Sequence, residues 1–117
     1  MTGLSVLRHA YGLMDKPARL TADDGNESGL LAVNQIYGEL WEREHTEPFA
    51  PLTHLRQEVK LSWRCLPAMT YGTAALLCLG DNALPYDRFL EMYLRAVPRI
   101  ESVPYQRPDV LFAGGRE

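Results

Sequence analysis

No stretch of this chain is apolar for long enough to cross a bilayer. The longest such run, Ala74 to Leu79, falls far short of the roughly 20 residues a membrane helix requires. The opening residues, Met1 to His9, hold no basic segment followed by an extended apolar one, so no secretory leader is read there. Basic excess is missing too. Twelve Lys and Arg stand against fifteen Asp and Glu, for a formal net charge of -3 and a pI near 5.6. The cations are scattered, whereas a surface that grips phosphates carries a basic patch or stripe. That argues against a tight nucleic-acid reader. Cysteine is scarce: only Cys65 and Cys78 are present. If both lie on one helix, about 100° per residue sets them on different faces roughly 20 Å apart. A disulfide needs Cα atoms within about 7 Å. Both are read as reduced, buried thiols of a protein that is made and acts in the cytoplasm, or in something assembled there.

Catalytic patterns are lacking as well. The histidines are His9, His45 and His54, and no two of them have the i, i+4 spacing of a helical zinc site. His45 lies among Glu42, Glu44 and Glu47, which reads as a solvated acidic helix end. No G-x-S-x-G is present. Arg64 beside Cys65 is the one feature that would favour a thiolate, and a buried structural thiol explains the pair more simply. Asp23 and Asp24 sit among Gly25 and Asn26 as turn and cap residues. Gly72 and Gly80 follow no strand, so there is no phosphate loop. The expectation is a chain with no catalytic residue, no metal ligand and no cofactor, and not an enzyme.

What is present is an ordinary globular balance, 46% apolar and 23% charged, in 117 residues, enough for one modest core. Periodicity predicts an all-α fold, a small bundle of four main helices with an extended C-terminal arm. The first helix runs from about Leu4 to Met14, with Leu4, Leu7, Tyr11 and Met14 on one face, Thr2 as N-cap and Pro17 beyond it. Residues 15 to 28 read as a loop, with Asn26 or Ser28 capping the next helix. That helix spans about Gly29 to Glu44 and turns Leu30, Val33, Ile36, Tyr37, Leu40 and Trp41 inward. Asn34 beside this face needs a hydrogen-bonding partner, expected to be the backbone of a neighbouring segment. Pro48 and Pro51 bracket Phe49 and impose an extended connection. Over 54–62 a short turn capped by Thr53 and a brief extended piece are equal alternatives.

The third helix, about Pro67 to Gly80, is apolar nearly all round and is expected at the centre, with Gly72, Ala74 and Ala75 allowing a close neighbour. The fourth runs from about Leu84 to Val97. Phe89, Met92, Tyr93, Ala96 and Val97 face in, Arg88, Glu91 and Arg95 face out, and Pro98 stops it. Tyr37, Trp41 and Phe49 are expected to pack together. Trp63 stands outside any clear helical stripe and is the better candidate for an interface, since tryptophan anchors contacts. From Glu101 on, Pro104, Pro108, Gly114 and Gly115 rule out long regular structure, yet Val110-Leu111-Phe112 is an apolar triplet at the chain end.

One combination of residues resembles a known family. A helix carries Asn34-Gln35-Ile36-Tyr37-Gly38-Glu39-Leu40-Trp41, followed by Pro48-Phe49 and then Leu52-Thr53-His54-Leu55 with Glu58 and Leu61. After these come Leu66-Pro67, Tyr71-Gly72 and Ala74-Ala75, then Phe89 and Tyr93. Together, over about half the chain, they resemble the head-tail connector (adaptor) proteins of long-tailed bacteriophages. The resemblance implies a structural virion protein. It would comprise a helical connector domain, 1–100, and an extended arm, 101–117. Such subunits form a ring, usually of twelve copies, beneath the portal of the DNA-filled head. They meet the portal protein and the next neck or tail-completion protein, while DNA passes through without sequence-specific binding. The implied location is the virion neck, assembled in the bacterial host cytoplasm, with no membrane contact. The expected interface residues are Trp63, Arg107, Val110, Leu111, Phe112 and Arg116. The rival expectation is a small helical regulatory or anti-defence protein that binds one host partner.

Overall fold

The computed structural model describes residues 1–14, 27–80 and 85–101. Within them lie four α-helices: α1 (Gly3–Leu13), α2 (Glu27–Trp41), α3 (Leu66–Gly80) and α4 (Tyr86–Glu101). A 3-10 turn, Trp63–Cys65, leads into α3. The described residues contain no strand, only an isolated bridge between Thr2 and Glu58. The helical bundle is therefore as predicted. Of the predicted arm, 101–117, Glu101 is the last residue of α4 and residues 102–117 lie outside the described residues, as do Pro17 and Asn26.

Helix α1 begins where the sequence places it. Thr2 Oγ1 accepts the Ser5 amide at 3.0 Å, and Ser5 Oγ accepts the Thr2 amide at 3.1 Å, a reciprocal capping box. Two further first-turn amides find partners in the 55–57 connection. Gly3 donates to the Gln57 carbonyl and Leu4 to the Leu55 carbonyl, at 3.1 and 2.7 Å. A Cβ on Gly3 would fall 2.7 Å from Leu52 Cδ1 and 3.2 Å from the Leu55 carbonyl oxygen, so the connection packs closely on this bare backbone. The 54–62 segment holds both alternatives: a turn at 55–56, then a short extended piece in which Glu58 bridges Thr2, Val59 donates to the Met1 carbonyl, and Val59 and Leu61 are buried while Lys60 and Ser62 are exposed. The Gln57 side chain, rather than Thr53, does the capping, accepting from the Thr53 and His54 amides.

Asn34 on α2 meets the expectation set for it. Its Nδ2 donates to the Leu52 carbonyl at 2.9 Å, and its Oδ1 accepts the Leu52 amide at 2.8 Å. Helix α2 starts at Glu27 rather than Gly29, placing Ser28 inside the helix, and ends at Trp41, not Glu44. The last three residues become a turn because Trp41 Nε1 swings out to donate to the Glu47 carbonyl, drawing the chain back toward the helix end.

Helix α3 is the central element, packed against α1, α2 and α4. Its start meets the end of α2, since Glu44 contacts Ser62, while its middle meets Ile36, so α2 and α3 run antiparallel. Gly72 makes this possible. A Cβ there would lie 2.8 Å from Ile36 Cδ1 and 2.9 Å from Tyr93 Cδ1, so α2 and α4 both press on its bare backbone. Helix α4 lies mainly on α3. It buries Phe89 and Tyr93 as expected, while Met92, Ala96 and Val97 are half-buried. Pro98 does not stop it: α4 continues to Glu101 with the proline inside. The carbonyl that Pro98 cannot bond belongs to Leu94, an exposed residue, and the added turn buries Ile100. Burial of Ile100 outweighs one lost hydrogen bond on a wet face.

Candidate functional site

The chemistry-bearing side chains gather where α2 ends and the 3-10 turn begins. Glu44 is the hub. Its carboxylate accepts the Ser62 amide at 2.8 Å and the Ser62 hydroxyl in a very short bond. Burial raises the Glu44 pKa, but the two bonds from Ser62 and one from the Cys65 thiol outweigh it and hold the carboxyl below its ordinary range. The same contact acts on Cys65 in the opposite sense. Burial first, then the Glu44 charge, push its thiol up to about 12. Arg64 therefore does not make a thiolate of it. Cys65 and Cys78 are both buried free thiols. Tyr93 Oη donates to Glu39 Oε1 at 2.5 Å, and burial and that carboxylate raise the phenol pKa.

His45 is not a solvated residue in an acidic run. Its ring stacks on Trp41 with centroids 3.8 Å apart and planes at 18°. Its Nε2 lies 2.6 Å from the Lys60 carbonyl, an acceptor, so that nitrogen carries the proton. Its Nδ1 stands 3.6 Å from Glu47 Oε1. The Lys60 amide in turn donates to Tyr37 Oη at 3.0 Å. The expected aromatic cluster is present: Tyr37 meets Trp41 and Phe49 edge-on, with centroids 5.7 and 5.0 Å apart.

These contacts fix both flanks of one exposed side chain. Lys60 is tied to His45 and Tyr37, Ser62 to Glu44, and Cys65 is buried, while Trp63 between them is 73% exposed. The indole stands on a turn held by α2. Of the other residues singled out for contacts, Arg107, Val110, Leu111, Phe112 and Arg116 lie outside the described residues. Nothing else of the site is signalled by a motif. The i, i+4 spacing of Trp41 and His45 was the available hint of their stacking.

Beside the His45–Trp41 stack is an open cleft of about 510 Å³, bounded by Gly38, Trp41, Glu42, His45, Glu47 and Phe49. Among the described residues, no three His, Cys, Asp or Glu side chains gather as a metal site would require. None of the described helices is long and apolar enough to cross a membrane. In comparisons with family models, curated proteins and solved structures, nothing matches the chain.

Proposed function

We propose that this chain is a non-catalytic docking protein, a head-tail connector (adaptor) subunit of a bacteriophage-type virion. In this reading, copies assemble as a ring, about twelve-fold on the resemblance, between a portal and the next neck or tail-completion protein. The ring extends the channel through which DNA passes. The observation that carries the docking part is Trp63. An indole 73% exposed leaves a large apolar area in water, and tryptophans so displayed are typical interface anchors. The backbone that carries it is held on both sides, at Lys60 and Ser62. An anchor on a pinned backbone loses less chain freedom on binding than one on a loose loop. The Cys65 thiol at the site is held protonated by burial and the Glu44 charge, which supports a structural rather than a nucleophilic role for it. The finer part, portal and ring, rests on the family resemblance and on the apolar triplet Val110-Leu111-Phe112.

The test is to mix the purified protein with its portal and image the product by electron microscopy. A ring on the portal is expected, and Trp63→Ala is expected to weaken its formation at least tenfold without changing the circular dichroism spectrum. A defined one-to-one complex with a host protein and no portal association would replace the connector reading with the regulatory one.

A further inference from the structure

We propose that the cleft at the end of α2 binds an arginine side chain presented by an extended segment of a partner protein. Three features select a cation. The cleft lies at the C-terminal end of α2, the negative end of the helix dipole, and the last turn of α2 holds no basic residue. The exposed carboxylates of Glu42 and Glu47 stand on its rim, and Glu42 has no polar partner among the described residues. The walls are aromatic: Phe49 is half-buried against Tyr37 and Trp41, and a flat cation packs favourably on such rings.

The same features select arginine among cations. A metal ion would need three ligands brought together, and Glu42, His45 and Glu47, though all on the cleft, do not converge as such a group. An ammonium is a compact, strongly hydrated point charge. A guanidinium is planar, sheds water more readily and offers forked donors that one carboxylate can accept in pairs. At about 510 Å³ and open to solvent, the cleft is larger than one guanidinium, so it takes the side chain together with neighbouring backbone of a segment. His45, one wall of the cleft, is tied to the Lys60 carbonyl, so cleft and Trp63 belong to one end of the molecule. This inference does not rest on the connector reading, because a basic segment would be recognised here in any assembly.

The test uses the full chain and a capped Gly-Arg-Gly-Arg-Gly peptide, followed by nuclear magnetic resonance. The Trp41 indole N–H, bonded to the Glu47 carbonyl, is the reporter, and the Trp63 indole is the internal control. A saturable shift of the Trp41 signal, larger than that of Trp63, is expected. Glu42→Gln should weaken the apparent affinity about threefold, the scale of one exposed ion pair. Glu27→Gln, at the opposite end of α2, should leave it unchanged. The proposal is overturned if the peptide with citrulline in place of arginine shifts the signal equally. It is also overturned if both variants weaken binding alike, or if millimolar peptide moves nothing.

Discussion

Helices α3 and α4 are sequence neighbours of nearly equal length, 15 and 16 residues, and they are positioned by different physics. Helix α3 is surrounded. Ala68, Met69, Thr73, Ala74, Ala75 and Cys78 are all buried, and three helices lean on it. Helix α4 is a cover. It buries Phe89, Tyr93 and Ile100 and leaves Leu94 59% exposed. Over most of α3 the constraint is the size of each residue, because only Pro67 and Leu79 of its described side chains stand exposed. In α4 the constraint is which side meets water, and size on the wet side matters little. A polar atom in α3 consequently has few options: Thr73 Oγ1 is fully buried without a hydrogen-bond partner.

The comparison breaks most visibly at Gly72. Gly72→Val places methyls where Ile36 and Tyr93 already sit, and a loss of about 3 kcal/mol in urea unfolding is expected. A loss below about 1 kcal/mol would mean that α3 is not confined there. At the start of α3, the raised Cys65 pKa has a defined sign. The unfolded thiol ionises near 9 while the folded one stays neutral up to about 12, so stability falls as pH rises across that window. Cys65→Ala should remove this part of the alkaline loss, and denaturation midpoints at pH 8 and 10 would show it. Thr73→Val keeps the shape and removes the unpaired hydroxyl, so a gain of about 1 kcal/mol is expected. A loss instead would reveal a partner for that hydroxyl. On α4, Pro98→Ala restores a hydrogen bond to Leu94 in the last turn and should also gain about 1 kcal/mol, read as a higher Tm. Smallest of all, Leu94→Ser should change stability by less than about 0.5 kcal/mol.

The contrast also explains what was legible in the sequence. Local rules with one outcome were readable: the Thr2 cap, the backbone bond required by Asn34, the small Gly72 in an apolar helix. Pro98 misled because the rule against helical proline takes no account of Ile100, two residues on, or of which face the freed carbonyl occupies. The end of α2 misled for a related reason. Glu42, Arg43 and Glu44 continue a helical polar pattern, and only the reach of the Trp41 indole to Glu47 shows that the chain turns back. His45 looked solvated because its neighbours in sequence are acidic, whereas its neighbours in space are Trp41 and the Lys60 carbonyl. The cleft has no motif because its walls come from the last turn of α2 and the loop beyond it, through contacts that no fixed spacing encodes. The carboxylate of Glu44 binding Ser62 belongs to the same class.

The amide of Asn34 does for Leu52 what a neighbouring strand would do, accepting its N–H and donating to its C=O. Tyr37, Glu44 and His45 repeat that service further along, at Lys60 and Ser62. The connection between α2 and α3 is thereby stitched by four side chains, Asn34 and Tyr37 on the helix and Glu44 and His45 in the turn that follows it, instead of to a sheet by its own backbone. Mechanically, a pull on Trp63 is carried sideways into α2, and through Ile36 against Gly72 into the middle of the bundle. A loop hung between two helices would stretch under such a pull. A loop stitched along one of them passes the force on, and whatever seats on that indole takes hold of the whole bundle.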